Sequence, residues 1–218
     1  MTLAIFDLDN TLIAGDSDHL WGEFLCDRGI VDGENFRARN AQFYADYRRG
    51  ELDILAYLDF VLAPLAGRTP ESMRDLQAEF VDERIRPIML PAAARLLAQH
   101  ADQGHRRLII TATNEFVTRP IAKLLGVDEL LGCAVELRDG VFTGRATGTL
   151  TYREGKVRRL REWLSDQKEE FADAWFYSDS HNDLPLLESV DNPVLVDPDD
   201  TLAAVGETRG WPRLSLRE

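Results

Sequence analysis

The chain has 218 residues and a formal net charge of −13. Its length allows one large or two modest domains, and its charge argues against a nucleic-acid partner, because an acidic surface repels phosphate backbones. Cys26 and Cys133 lie far apart in the sequence, which predicts neither a disulfide framework nor a zinc site and favours a reducing, cytoplasmic setting. We expect no membrane partner, because the chain has no bilayer-length apolar run and no signal-peptide pattern.

Short apolar segments alternate with helical patterns along most of the chain. The segments predict buried strands at residues 2–8, 106–111, 174–178 and 194–196. The helical patterns lie at residues 92–103, 116–125, 156–167 and 183–189. Repeated strand–helix units are typical of an α/β protein, so the predicted fold is a Rossmann-like parallel sheet core.

One long helical stretch interrupts this alternation. Its predicted helices cover residues 19–28, 33–49, 52–62 and 70–84, directly after the first strand. We expect a small all-helical cap domain of residues 16–87 and a core of residues 1–15 and 88–218. The cap would lie over the carboxyl ends of the strands, where open α/β sheets bind ligands.

Two further elements are predicted after residue 130. Segments 133–137 and 141–152 flank the turn Asp139-Gly140 and predict a β-hairpin. Residues 209–218 predict a short strand or an extended cover.

Oxygen-bearing side chains follow three of the predicted strands. They are Asp7, Asp9, Thr111, Asp179 and Asp183, and the carboxyl ends of parallel strands meet at one edge. A turn or a helix N-terminus could explain each aspartate separately. Together, crowded carboxylates predict a hard cation such as Mg²⁺, because their mutual repulsion needs compensation. Lys156 begins the intervening helix, which is electrostatically unfavourable and indicates another role for its charge.

The order of these motifs resembles the haloacid dehalogenase-like hydrolases, and within them the phosphoserine-phosphatase-like group with a helical cap. The matching motifs are Asp7-Leu8-Asp9-Asn10-Thr11-Leu12, the apolar strand that ends at Thr111, Gly155-Lys156, and Ser178-Asp179-Ser180-His181-Asn182-Asp183. This resemblance covers essentially the whole chain. It implies an Mg²⁺-dependent phosphatase that acts on a small phosphorylated metabolite.

The resemblance also implies a role for each residue. Asp7 would be the nucleophile that becomes an aspartyl phosphate, and Asp9 the acid and base. Thr111 would bind a phosphoryl oxygen, and Lys156 would offset negative charge. The magnesium ligands would be Asp7, the carbonyl of Asp9 and Asp179, with Asp183 in support.

Departures from the family pattern bear on the substrate. Phosphoserine-cleaving relatives use a cap arginine for the substrate carboxylate, yet residues 55–62 contain no arginine or lysine. Asp16 corresponds to a carboxylate that holds the substrate amine, although an N-cap role is equally consistent with its position. An amine-bearing phosphomonoester without an acid group, such as histidinol phosphate, is therefore the hypothesis. The other predicted substrate contacts are Thr113, Asn114, His181 and Asn182.

Alternatives remain at this level of evidence. A phosphoserine phosphatase and a phosphosugar mutase would share the fold, and a receiver domain also accepts phosphate on an aspartate beside a threonine and a lysine. Receivers are shorter and lack a proton donor two residues beyond the phosphorylated aspartate. An inactive binding protein is disfavoured by the intact set of carboxylates, and the chain could be a monomer or a homodimer.

Overall fold

The computed structural model describes residues 1–167 and 173–217. A seven-stranded sheet runs through its centre in the order β4-β3-β2-β1-β5-β6-β7. The strands are β1 (Thr2–Phe6), β2 (Arg106–Asn114), β3 (Glu129–Arg138), β4 (Val141–Thr147), β5 (Asp173–Ser178), β6 (Asn192–Val196) and β7 (Arg213–Leu214). Neighbouring strands are parallel except β3 and β4, which form the predicted hairpin. The predicted α/β fold is confirmed.

Strand β1 lies in the middle of the sheet because it is apolar on both faces. Ala4 and Phe6 belong to one hydrophobic core, and Leu3 and Ile5 belong to the other. Side chains alternate along a strand, so a strand buried on both faces needs an uninterrupted apolar sequence. Helices on both faces of the sheet supply the two cores.

Helices connect the strands as predicted, with one addition. They are α1 (Ser17–Asp27), α2 (Gly33–Arg49), α3 (Ile54–Leu62), α4 (Arg74–Phe80), α5 (Pro91–Asp102), α6 (Glu115–Leu124), α7 (Glu154–Asp166), α8 (Leu184–Leu187) and α9 (Asp200–Arg209). Helix α9 is the addition. Both ends of α9 carry residues typical of helix ends. The Asp199 side chain accepts a hydrogen bond from the N–H of Leu202 at the start, and Gly210 adopts left-handed φ at the end.

The helical insert between β1 and α5 contains no strand, and all of its residues are described. The single helix predicted over residues 70–84 is instead α4 followed by a π-helical turn, Val81–Ile85. Trp21 of α1 packs edge-on against Phe116 of α6, with ring centroids 5.5 Å apart. The insert thus shares a hydrophobic core with the sheet, and its division from the core at residues 16–87 stays a prediction.

Cys26 and Cys133 are both buried and unpaired with each other. Within residues 1–167 and 173–217, no helix combines the length and apolar character needed to cross a membrane.

Candidate active site

Two acidic side chains enter one cavity because β1 ends just before them. Strand β1 stops at Phe6, and the N–H of Asp7 donates to the carbonyl of Tyr177 on β5 at 2.9 Å. Asn10 then adopts left-handed φ, which Asn tolerates well, and starts a tight loop. Asp7 and Asp9 both line the cavity beneath the helical insert, together with Thr111 and Thr113 from the adjacent strand β2.

Lys156 lies between two carboxylates at the base of the site. Its Nζ donates to Asp7 Oδ1 and to Asp183 Oδ2, at 2.7 Å each. Burial alone would lower the pKa of Lys156, but the two carboxylates outweigh it and raise that pKa. Burial raises the pKa of Asp7 to about 7, although Lys156 opposes this rise. The lysine is therefore a charged, fully desolvated partner for Asp7.

A glycine allows Lys156 to reach this position. A Cβ on Gly155 would lie 1.9 Å from the carbonyl oxygen of Leu150, so no larger residue fits without a backbone shift. This close approach starts α7 under the site. The unfavourable position of a lysine in the first turn is compensated by its two carboxylate partners.

Asp9 is held by three hydrogen-bond donors. The N–H of Ser17 donates to its Oδ1 at 2.6 Å, and the hydroxyls of Thr113 and Thr111 donate to its Oδ2 at 2.8 and 3.3 Å. Burial raises the pKa of Asp9, while these donors partly lower it. Fixed orientation and a raised pKa are the properties that a general acid needs.

Asp179 sits at the end of β5 and is tied to the first motif. Thr11 Oγ1 donates to Asp179 Oδ1 at 3.0 Å and accepts from the Asp179 N–H at 3.1 Å. Burial and the nearby Asp7 carboxylate raise the pKa of Asp179 well above its ordinary value. The two carboxylates are thus close enough to repel each other.

The carboxylates of the site fit Mg²⁺ only if water molecules fill most of its coordination positions. Across the described ranges, no three Asp, Glu, His or Cys side chains form a ready metal cage. Mg²⁺ commonly uses one or two carboxylates together with water and substrate phosphate, and Asp7 and Asp179 supply that number. The sequence predicts Asp183 as a further support. Its Oδ2 binds Lys156 and, at 2.7 Å, the hydroxyl of Ser178, so Asp183 anchors the lysine, and its support of the metal stays a prediction.

The cavity continues from Asp7 and Asp9 into the helical insert. Its walls there combine carboxylates with aromatic and apolar side chains: Asp16, Asp18, His19, Asn40, Phe43, Tyr44, Tyr47, Leu52, Ile54 and Tyr57. No lysine or arginine of the described chain lines it. The negative charge of these walls suits a cation.

Asp16 caps a helix and also faces the cavity, and its contact with a substrate amine stays a prediction. Its Oδ1 accepts from the N–H of His19 at 2.8 Å and caps α1, while the side chain also lines the cavity. Burial and the charge of Asp9 raise the pKa of Asp16 to about 7. Nearby Asp18 is fully buried, and its pKa is raised well above the ordinary value by burial, Asp16 and Asp9.

Three predicted substrate contacts lie away from this cavity. Asn114 is buried, caps α6 through Oδ1 and donates to Asp18 Oδ1 at 3.0 Å, so it supports a wall residue. His181 pairs through Nδ1 with Asp199 at 2.8 Å. Asn182 accepts from Arg153 Nε at 3.2 Å. The hydrogen bonds described for these side chains are made within the protein, and their role as substrate contacts stays a prediction.

A set of bonds joins the insert to the core beside the cavity. Asn182 Nδ2 donates to the carbonyl of Tyr47 at 3.0 Å, and the Tyr47 hydroxyl donates to Ser180 Oγ at 3.3 Å. The Arg153 guanidinium donates to the carbonyl of Gly50. Arg153 holds this position with φ of 51°, a strained value for a residue with a side chain. These contacts join α2 and the residue that follows it to the core beside the cavity.

A family model for the haloacid dehalogenase-like hydrolases matches residues 4–188. The chain belongs to this family. The prediction that it is an enzyme, and a phosphatase, is confirmed at the level of the family and its named relatives. The receiver-domain alternative is excluded by the same match.

The curated relatives extend over nearly the full chain. A histidinol-phosphatase of Neisseria meningitidis is 43% identical over 99% of both chains. Phosphoserine phosphatase SerB1 of Mycobacterium tuberculosis is 32% identical over 95% of this chain and 68% of its own length.

Solved structures show the same fold. A protein of unknown function from Bordetella pertussis Tohama I superposes with a TM-score of 0.92, at 40% identity, and covers 99% of this chain and 100% of its own. A phosphoserine phosphatase carrying a phospho-aspartyl intermediate analogue superposes with a TM-score of 0.69 at 15% identity, with 100% and 93% covered.

Sequence reasoning missed the wall of the cavity that belongs to the insert. Asp18, Asn40, Tyr47 and Tyr57 come from three different helices, and no local motif links them. Only Asp18 had a signal, since it follows Asp16 by two residues, and that pair is also typical of a helix N-terminus.

Proposed function

We propose that this enzyme hydrolyses a small amine-bearing phosphomonoester through an aspartyl phosphate on Asp7, with histidinol phosphate as the preferred substrate. The observation that carries the proposal is the pairing of Asp7 with Lys156 at 2.7 Å, beside a cavity whose other end is acidic. One end thus suits a phosphate and the other suits a cation.

Asp7 and Asp9 divide the chemistry between them. A carboxylate oxygen of Asp7 attacks phosphorus, the bond from phosphorus to the alcohol oxygen breaks, and Asp9 gives its proton to that oxygen. Asp9 then takes a proton from water, whose oxygen attacks phosphorus and releases Asp7. The raised pKa of Asp9 supports its protonated state in the first step.

Lys156 has a direct electrostatic part in the first step. A carboxylate that approaches a phosphate dianion is repelled, and a desolvated ammonium 2.7 Å from Asp7 Oδ1 reduces that repulsion. Asp7, Asp179 and the carbonyl of Asp9 would hold Mg²⁺ here. The ion would supply Lewis-acid charge stabilisation to the phosphoryl oxygens.

The cation-binding end of the cavity favours histidinol phosphate over phosphoserine. Asp16 and Asp18 line it together with four aromatic rings: Phe43, Tyr44, Tyr47 and Tyr57. The carboxylate of phosphoserine would face these two acids without a lysine or arginine on the described walls, which is costly in a closed site. An imidazole and an ammonium group match the same walls. The 43% identical histidinol-phosphatase supports this choice.

Steady-state hydrolysis of a phosphomonoester panel tests the proposal. The panel contains histidinol phosphate, phosphoserine and para-nitrophenyl phosphate, each with Mg²⁺ and with a chelator. We expect the highest kcat/KM for histidinol phosphate and no turnover with the chelator. Faster turnover of phosphoserine would overturn the substrate assignment.

The mechanism is tested separately with Asp7→Asn and Asp9→Asn. Both variants should lose phosphatase activity, and acid quenching of the wild type with labelled substrate should trap label on residue 7. Label that returns to the product alcohol as a phosphate ester would instead support the phosphosugar-mutase alternative.

A further inference from the structure

Two buried acceptors in the cavity wall lack a hydrogen-bond donor. Asp18 Oδ2 and Asn40 Oδ1 have no hydrogen-bond partner among residues 1–167 and 173–217, and the two residues are 2% and 1% exposed. Both residues line the cavity. A buried acceptor without a donor costs free energy, more so on a carboxylate, so a native protein rarely keeps two such atoms at one place without use.

The surroundings of Asp18 hold its side chain in place but leave one oxygen open. Asn114 Nδ2 donates to Oδ1 at 3.0 Å. Side-chain hydrogen bonding from the Tyr57 phenol lowers the pKa of Asp18, while no donor of the described residues meets full hydrogen-bond geometry at Oδ2. Asp16 adds a second carboxylate nearby. A cation bound at the open oxygen would offset the repulsion between these carboxylates.

The amide of Asn40 is oriented so that only its oxygen remains unpaired. Its Nδ2 lies 3.0 Å from the carbonyl of His19, which must accept, and 3.1 Å from His19 Nδ1. A flipped amide would bring two acceptors together, so Oδ1 is the free end. Gly22 leaves room for this amide, because a Cβ at that position would lie 2.6 Å from Nδ2.

We infer that Asp18 and Asn40 form a subsite that accepts hydrogen bonds from the substrate. The subsite selects a phosphomonoester whose alcohol part carries two N–H groups, one of them cationic. Asp18 takes the cation, and Asn40 accepts the second N–H. This inference rests on the proposed phosphatase function and extends it. The two residues select the substrate at the far end from the phosphate, while the reaction itself takes place at Asp7.

Substrate and protein can be changed in parallel to test this assignment. Histidinol phosphate, its analogue without the amine, and para-nitrophenyl phosphate are compared on the wild type, Asp18→Asn and Asn40→Ala. The matched control is Asp59→Asn, which makes the same charge change on an exposed residue of α3. Folding of each variant is checked by its thermal unfolding midpoint.

Asp18→Asn should lower kcat/KM for histidinol phosphate relative to the deamino analogue by about tenfold or more, the loss expected for a charge-assisted hydrogen bond. Asn40→Ala should lower kcat/KM for histidinol phosphate relative to para-nitrophenyl phosphate about fivefold, as for a neutral hydrogen bond. Asp59→Asn should change neither ratio.

Two outcomes separate this inference from the proposed function. If the wild type hydrolyses these esters but Asp18→Asn leaves the ratio between amine and deamino substrates unchanged, the subsite is refuted and the phosphatase assignment stands. If the wild type hydrolyses none of the three, the proposed function fails. Calorimetric titration with histidinol then tests the subsite without turnover, and equal affinity for wild type and Asp18→Asn refutes it.

Discussion

The free energy of unfolding should fall less steeply with rising pH in Asp16→Asn than in the wild type. The pKa of Asp16 is about 7 in the folded protein, against 3.8 for an ordinary aspartate, because of burial and the charge of Asp9. Between these two values the folded protein keeps a proton that the unfolded chain has released. Stability conferred by the neutral form is therefore lost progressively up to about pH 7 and stays lost above it.

The size of this difference in stability follows from the pH interval between the starting pH and the folded-state pKa of Asp16. From about pH 5 to about pH 8, roughly two units separate the starting pH from the folded pKa, and each unit is worth about 1.4 kcal/mol. The free energy of unfolding of the wild type should therefore fall by up to about 3 kcal/mol more than that of Asp16→Asn over this range. This is an upper limit, since the Asp16 side chain is only partly buried and water screens it.

Urea unfolding at both pH values, with a chelator present, measures the difference. Asparagine is as good an N-cap as aspartate, so α1 should keep its cap in the variant. Asp59→Asn again controls for a change in net charge. A gap between wild type and Asp16→Asn that is equal at both pH values would refute the reasoning, because the cost would then not arise from ionisation of Asp16.

Three further predictions concern the base of the site. Lys156→Met leaves Asp7 and Asp183 without their cation, so the free energy of unfolding near neutral pH should fall by about 3–5 kcal/mol; a variant as stable as wild type in urea contradicts this. Gly155→Ala forces a methyl group against the carbonyl of Leu150 and should cost about 1–3 kcal/mol, measured by calorimetry; an unchanged melting temperature would exclude the close contact. Mg²⁺ at about a hundred times its Kd should stabilise the wild type by about 2.7 kcal/mol, and less in Asp7→Asn; no shift of the unfolding midpoint with Mg²⁺ would show that the site does not bind it.

Local patterns in the sequence are enough to predict the sheet and the position of its catalytic edge. The apolar runs of β1, β2, β5 and β6 are buried on both faces, so each strand appears in the sequence without help from distant residues. The polar residues that follow them reach one edge because parallel strands share a direction. The prediction that Asp7 and Asp9 share this edge followed from the rule, whereas the place of Lys156 beside them came from the resemblance to the family's motif order.

Tertiary packing alone decided which polar side chains stay open to the cavity and which are hydrogen-bonded within the protein. Asn114 and Asn182 sit in the motif loops, yet neighbouring groups use their hydrogen-bonding capacity. Asp18 and Asn40 are 22 residues apart, on α1 and α2, and they share one cavity wall because the two helices pack together. Whether a polar atom is free for a ligand depends on all its neighbours, and most of those neighbours are distant in the sequence.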